Sequence, residues 1–321
     1  MKKLWYYTKN FSNNNFFKKI YEYQLNSKLN QIKQYDINYI NQRVNYYNKL
    51  HQPFILENPL TWKNYKRSTP ISINGKIDRQ KQLSAYYFDF KESLIYFNKN
   101  NSFETIFTDL TEVPQLPSFV KSRPIHGNNQ NSVLLKLDKL RHFRFVNDHL
   151  SFKDKKNAIV FRGQCHVPHR QEFIEKSYNL PNSNFGDTMK SNQIKPYYKD
   201  YLSIPEQLKY RYVLSIEGVD VATNLKWIMN SNSLCFMVKP KFETWFMEGT
   251  LIPNHHYVLL KDDYSDIQEK MDYYDKNPEE ALKIIKNANN YVEQFKNKNR
   301  EKIISLLVLE KYFNLNKTIS K

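Results

Sequence analysis

Residues 213–266 alternate short apolar runs of strand type with short runs of helix type: VLSIEGVDVATNLKWIMNSNSLCFMVKPKFETWFMEGTLIPNHHYVLLKDDYSD. Polar, charged and small residues crowd the junctions. This alternation restricts the chain to an α/β domain whose parallel sheet is covered on both faces, and such a domain builds its ligand site at the carboxyl ends of its strands. Strands are expected at 158–161, 210–216, 234–238 and 257–260. Helices are expected at 168–178, opened by Pro168, and at 222–229. Another starts at Ser265, with Gln268 completing a capping box. Asn277-Pro278 opens a helix running to about 295, along which Ala281, Ile284, Ile285, Ala288 and Val292 keep helical spacing. A last helix is expected at 301–313. Residues 156–299 therefore read as a Rossmann-like domain.

The first part of the chain is polar, rich in Tyr and Asn, and weakly periodic. A short strand is expected at 94–97. Pro114, Pro117 and Pro124 exclude a continuous helix over 103–124. The run 133–145 fits a helix or a strand followed by a helix. A length of 321 residues accommodates two domains of ordinary size. Residues 1–155 are taken as a second, N-terminal Rossmann-like domain, with the 300–321 helix packing back on it. No GxGxxG or GxxxxGK[ST] run occurs, so neither a dinucleotide fingerprint nor a P-loop is expected.

Charge decides which partners to consider. Lys and Arg number 49 against 32 Asp and Glu, a net charge of +17. Such a chain seeks phosphate: nucleotides, nucleic acid or an anionic membrane surface. No helix concentrates a basic face, so a nucleic-acid-binding protein is the alternative from another class, with no specific nucleic acid expected as partner. Two cysteines make neither a disulfide framework nor a zinc cluster, and a reducing, cytoplasmic setting is expected. The lysine-led N-terminus lacks a continuous apolar stretch, and no run approaches the ~20 apolar residues of a spanning helix. Lys2, Lys3, Lys18 and Lys19, interleaved with Trp5, Phe11, Phe16 and Phe17, suit peripheral contact with an anionic inner leaflet. Glycine is scarce, at 6, so each one is expected where a side chain does not fit or positive φ is needed.

The candidate site residues lie at the strand ends. Arg162 and Gly163 follow a strand and Arg170 falls in the first turn of the next helix. Two guanidinium forks at such a junction suit the paired oxygens of a diphosphate. Gly218, Val221, Thr223, Asn224 and Lys226 surround the next helix start, where backbone N–H groups and a lysine charge favour an anion. Asp220 or Thr223 is expected as its N-cap. Glu243, between strands, suits sugar or ribose hydroxyls, and Trp245 fits a core position. The acidic run 262–266 reads as a helix start rather than a metal site. His255 and His256 precede a strand, where adjacent residues point to opposite faces and do not easily share a metal, so no metal is expected. Asp109 and Glu112 stand in the proline-rich loop, and either can serve as the base that takes a hydroxyl proton. Lys121, Arg123 and His126 follow.

The blocks KSRPIHGNNQNSVLLKLDK, FRGQ…PHR, EGVDVATNLKWIMNSNSL and FETWFMEGTLIPNHHYV…DYSD occur in order, and with them the chain resembles glycosyltransferase family 90. That family includes bacterial lipopolysaccharide core glycosyltransferases, fungal capsule-associated proteins and animal protein O-glucosyltransferases. The resemblance spans about 87–312 and looks most like the bacterial lipopolysaccharide branch. It implies a GT-B-like architecture, with two Rossmann-like domains facing across a cleft. It also implies an inverting, metal-independent transfer of glucose or galactose from a UDP-hexose to the lipopolysaccharide or lipooligosaccharide core, with no cofactor beyond the donor. A capsule, other glycan or protein acceptor is the alternative. In the family, arginines matching Arg162 and Arg170 hold the diphosphate. The animal members carry arginine where this chain has Lys226, which keeps the charge and loses the bidentate fork. The animal base precedes a P-Q-x-P run and matches Glu112, whereas the bacterial pattern places an aspartate at Asp109, which is preferred. The resemblance also puts Lys121, Arg123 and His126 on the acceptor side.

Overall fold

The computed structural model describes residues 18–66, 70–73, 76–81 and 84–318. Residues 2, 3, 5, 11, 16 and 17 of the basic–aromatic N-terminus, and the side chains of Lys18 and Lys19, lie outside what is described. The chain divides into two compact units, residues 1–141 with 242–246 and 295–321, and residues 142–241 with 247–294. The path thus leaves the first unit after 141, returns for five residues at 242–246, and returns again at 295. Both units are mixed α/β with parallel strands.

In the first unit, helices α1 (Lys18–Asn30), α2 (Ile37–Tyr47) and α3 (Ser84–Leu94) accompany short strands. Asp36 caps α2 by accepting from Asn38 N at 2.9 Å and Tyr39 N at 3.2 Å. Ile40, Arg43, Val44 and Tyr47 form the buried face of α2 at helical spacing. Strands β1 (Thr105–Ile106), β2 (Ser118–Val120) and β4 (Ser132–Leu134) make a parallel sheet in the order β1-β2-β4. Strand β3 (Ser122–Pro124) instead pairs antiparallel with Phe242–Thr244. The last helix, Lys298–Leu315, starts at Asn297, whose side chain accepts from Arg300 N at 3.0 Å. It buries Ile303, Ile304, Leu306, Val308, Leu309 and Tyr312 around most of its circumference, as an interior helix does.

Two expectations change here. Residues 94–97 are the end of α3 and a turn, because their apolar side chains continue that helix's buried face. The 133–145 run resolves into β4 and a single helical turn, Lys139–His142.

The second unit is a five-stranded parallel sheet of β5 (Lys156–Gly163), β6 (Ser183–Asp187), β7 (Tyr210–Leu214), β8 (Leu234–Met237) and β9 (Val258–Leu259), in the order β6-β5-β7-β8-β9. Helices α4 (Pro168–Ser177), α5 (Leu225–Met229), α6 (Ile267–Lys276) and α7 (Pro278–Glu293) connect and cover it. Phe161, Phe173, Phe185, Tyr212, Phe236, Ile267, Met271 and Ile284 belong to one continuous core. Ala281, Ile284, Ile285, Ala288 and Val292 are all buried on α7. The capping box at Ser265 does not form. Ser265 Oγ donates to Asp263 at 2.8 Å and α6 begins after Asp266, whose carboxylate accepts from Lys261 N at 3.0 Å. The acidic run therefore folds on itself as a helix start. Among the described residues no helix is long and apolar enough to cross a membrane.

Candidate active site

In strand order the second unit runs 2-1-3-4-5 by sequence, so the direction of winding reverses between β5 and β7. Loops leave such a pair of strands in opposite directions and open a crevice at their carboxyl ends, where α/β sheets bind ligands. Arg170 spans this crevice. It enters from the first turn of α4, fixed by Pro168 and by the Arg170 N to Val167 O bond at 3.1 Å. Its Nε donates to Glu217 O at 2.8 Å and one Nη to Ile216 O at 2.5 Å, both beyond β7. Its other Nη donates to Gln164 O at 3.1 Å, beyond β5. His169 Nε2 lies 2.8 Å from the same Glu217 carbonyl. The guanidinium sits over the Phe161 ring, 5.8 Å from its centroid. Burial pulls its pKa down, yet an arginine stays charged at neutral pH.

Gly163 and Gly218 flank this guanidinium: a Cβ on either would lie 3.6 or 3.7 Å from an Arg170 Nη atom. A side chain at either position would be in van der Waals contact with the guanidinium, and glycine leaves that contact out. Arg170 therefore combines a fixed position with spare donors, since three of its five N–H groups are directed at carbonyls.

Arg162 is placed differently. Its Nη1 donates to Phe161 O at 2.9 Å and Asn184 O at 2.7 Å, its Nη2 to Asn184 Oδ1 at 2.8 Å, and its Nε to Asp200 O at 3.2 Å. Gly186 makes the room: a Cβ there would fall 2.9 Å from Arg162 Nη1 and 2.6 Å from Lys199 Cβ. The fork expected on a diphosphate is thus spent fastening β6 and the 200 region to β5.

Asp187, which the sequence reading missed, closes β6. Fully buried, its carboxylate accepts from Cys165 N at 3.0 Å, Met189 N at 3.0 Å and Asn192 Nδ2 at 2.6 Å. It fixes the loop that carries Gln164 to Arg170. An acid ending a strand ahead of a polar loop was the available signal.

The helix start after β7 also departs from expectation. Neither Asp220 nor Thr223 caps α5; its N-cap position is Asn224, without a side-chain cap bond. Asn224 instead accepts from Ser215 Oγ at 3.0 Å and donates to Leu214 O at 3.1 Å, stapling the helix start to β7. Val221 is buried and Thr223 is exposed. Lys226 does not open its charge to the crevice: it is fully buried and paired with Glu248 at 2.5 Å, since a desolvated ammonium needs a counter-charge.

The remaining candidates belong to the first unit. Asp109 accepts from Lys121 Nζ at 2.6 Å and Tyr86 Oη at 3.4 Å, and Arg141 reaches Tyr86 Oη at 3.2 Å. Lys121 is buried while the Asp109 carboxyl is 42 % exposed. Burial alone raises the carboxyl's pKa, but the Lys121 ammonium, Arg141 and the Tyr86 hydroxyl outweigh it and hold Asp109 below the ordinary aspartate value. Glu112 and His126 are exposed nearby in sequence. Arg123 and Glu243 pair with each other at 2.8 Å, both essentially without solvent exposure. Arg123 also donates to the carbonyls of Tyr46 at 2.7 Å and Ser132 at 3.1 Å, and Tyr46 Oη donates to Glu243. Neither side chain is presented to an acceptor or a sugar; the pair locks the 242–244 strand to β3. Trp245 is core, stacked on Tyr47 at 3.7 Å and donating to Glu301 at 2.6 Å. His256, in the second unit, is hydrogen-bonded, accepting from Ile252 N at 2.9 Å through Nδ1.

The second unit thus carries a parallel α/β sheet with a glycine-flanked arginine across its switch point, and comparison with known sequences makes the protein a glycosyltransferase. The family described as glycosyl transferase family 90 matches residues 135–319, more than half of the chain, and the protein belongs to that family. Over 277 residues it is 46 % identical to the O-glucosyltransferase LpsA of Dichelobacter nodosus, covering 86 % of this chain and 83 % of that one. Protein O-glucosyltransferase 1 of Rattus norvegicus is 28 % identical over 148 residues, 43 % of this chain and 37 % of that protein. Protein O-glucosyltransferase 3 of Homo sapiens is 31 % identical over 105 residues, 32 % and 20 % of the respective chains.

Proposed function

We propose that this glycosyltransferase moves a hexose from a UDP-sugar to the lipopolysaccharide or lipooligosaccharide core, with inversion and without a metal. That the Dichelobacter nodosus relative is an O-glucosyltransferase favours glucose over galactose. Arg170 across the β5/β7 switch point is the observation that carries the reading. The acceptor hydroxyl gives its proton to a carboxylate, Asp109 or Glu112, as its oxygen bonds the anomeric carbon. The bond from that carbon to the diphosphate oxygen breaks with its electron pair, and UDP leaves. The charge that grows on the leaving oxygens is stabilised by a cation already in place, so little reorganisation is needed in the transition state. In this reading Gly163, Gly218, Val221, Thr223 and Asn224 join Arg170 in holding the donor. Asp109 supports the base role because its neighbours keep it ionised, while Glu112 stands exposed in the same loop.

In this reading the two units are the halves of a GT-B-like enzyme, and the +17 charge serves phosphorylated core sugars and the anionic inner face of the membrane. The partial likeness to protein O-glucosyltransferases supports the same chemistry on another acceptor. A donor screen that measures UDP release, with truncated lipooligosaccharide as acceptor and with or without chelator, tests the reaction. UDP-glucose turnover that chelator leaves intact is expected; turnover abolished by chelator would defeat the metal-free mechanism. Mass analysis of lipopolysaccharide from a deletion strain tests the acceptor, and an unshortened core would reject it.

A further inference from the structure

We infer that the loop leaving β6 is the surface by which this protein rests on an anionic lipid bilayer, with Ile194 as the inserted side chain. The inference rests on the membrane contact proposed above and assigns it to one place. Ile194 is 93 % exposed, above the other exposed large hydrophobic side chains among the described residues. Single exposed apolar residues are ordinary on soluble surfaces. This one differs in two respects.

The first is how it is held. The loop is cross-braced at its base: Asp187 N donates to Tyr197 O at 3.0 Å and Lys199 N donates to Asp187 O at 2.9 Å. The Asp187 carboxylate accepts from Met189 N and Asn192 Nδ2, and the Tyr197 ring is buried in the core. The tip is a tight turn, with Gln193 N bonded to Lys190 O at 3.2 Å and Lys195 N to Asn192 O at 2.9 Å. Ile194 is thus presented outward on a fixed turn, and a flexible chain would be free to fold it away. The second is charge. Residues 188–199 contain Lys190, Lys195 and Lys199 and no acid. Lys190 and Lys195, on either side of Ile194, are exposed. Tyr201, 74 % exposed just beyond the loop, adds an amphipathic ring of the kind enriched at membrane interfaces.

An apolar tip flanked by cations fits a surface that is anionic outside and apolar beneath. A glycan fits it poorly: an aliphatic side chain on a protruding turn offers sugar hydroxyls neither a donor nor an acceptor.

The test is sedimentation of the full chain with vesicles of phosphatidylcholine alone and of phosphatidylcholine with phosphatidylglycerol. Transfer to a soluble acceptor is assayed in parallel. The unmodified protein is expected to bind the mixed vesicles preferentially. Ile194→Asp is expected to weaken that binding about tenfold, and Lys190→Glu with Lys195→Glu by at least as much, with soluble transfer unchanged. No preference for anionic vesicles in the unmodified protein would overturn the membrane contact itself. Preferential binding that Ile194→Asp leaves intact would overturn only the assignment to this loop. Loss of soluble transfer with vesicle binding intact would make the loop an acceptor element and would also overturn it.

Discussion

Arg162 and Arg170 carry the same fork with different commitments. Four of the Arg162 N–H groups point at protein oxygens around β6. Arg170 directs three at carbonyls on the two sides of the crevice, two beyond β7 and one beyond β5, and has glycines at its edges. Replacing each by alanine should therefore separate binding from stability. Arg170→Ala is expected to lower UDP affinity roughly ten- to a hundredfold, the worth of charge-assisted hydrogen bonds to phosphate. Arg162→Ala is expected to lower unfolding free energy by about 1–3 kcal/mol, while UDP affinity per folded molecule changes little. Titration calorimetry with UDP and urea unfolding read the two effects. Equal losses of UDP affinity would restore Arg162 to the diphosphate site.

At the scale of elements, legibility followed burial geometry. Strands β5, β7 and β8 showed in the sequence because a strand covered on both faces needs a continuous apolar run, and IVF, YVL and LCFM supply it. Helix α7 showed because one face carries its stripe. Apart from the antiparallel pair 70–73 and 76–81, the first unit's strands among the described residues have two or three residues and are too short to display any period. Side-chain roles failed where a partner lies far along the chain. Glu243 read as a ligand-facing acid because nothing local reveals Arg123, and Lys226 read as open because Glu248 is not its sequence neighbour. The loop before β9 offers a pH test. Burial, and next His255, lower the His256 pKa from 6.5 to about 4. The folded state keeps Nδ1 unprotonated to accept from Ile252 N, whereas the unfolded chain takes up a proton near the ordinary value. This contribution to stability is complete above pH 6.5 and is lost as pH falls through about 4. Urea midpoints from pH 7 down to about 4 should show a shallower decline in His256→Gln than in the unmodified protein, because glutamine can still accept from Ile252 N without titrating. Parallel curves would remove His256 from the account.

For the molecule as a whole, the charge of +17 predicts retention on any polyanion. Binding to DNA or RNA should be weak, indifferent to sequence, and should fall steeply as salt rises, which is the signature of counterion release. Filter binding across a salt series checks this, and saturable sequence-selective binding at physiological salt would revive the nucleic-acid reading. The first unit has a further property. Arg43 of α2 bonds Glu301 at 3.1 Å, Asn48 bonds Val308 O at 3.2 Å, and Tyr47 stacks on Trp245. The partners of its earliest helices lie at 245 and at 301–312. On the ribosome those helices emerge into solution before the surfaces that bury them exist, whereas the whole of the second unit lies in the stretch 142–294. The usual order of synthesis, in which the N-terminal domain folds first, is reversed: the unit translated first must wait for the last helix, and a ribosome stalled before residue 298 leaves its core unfinished.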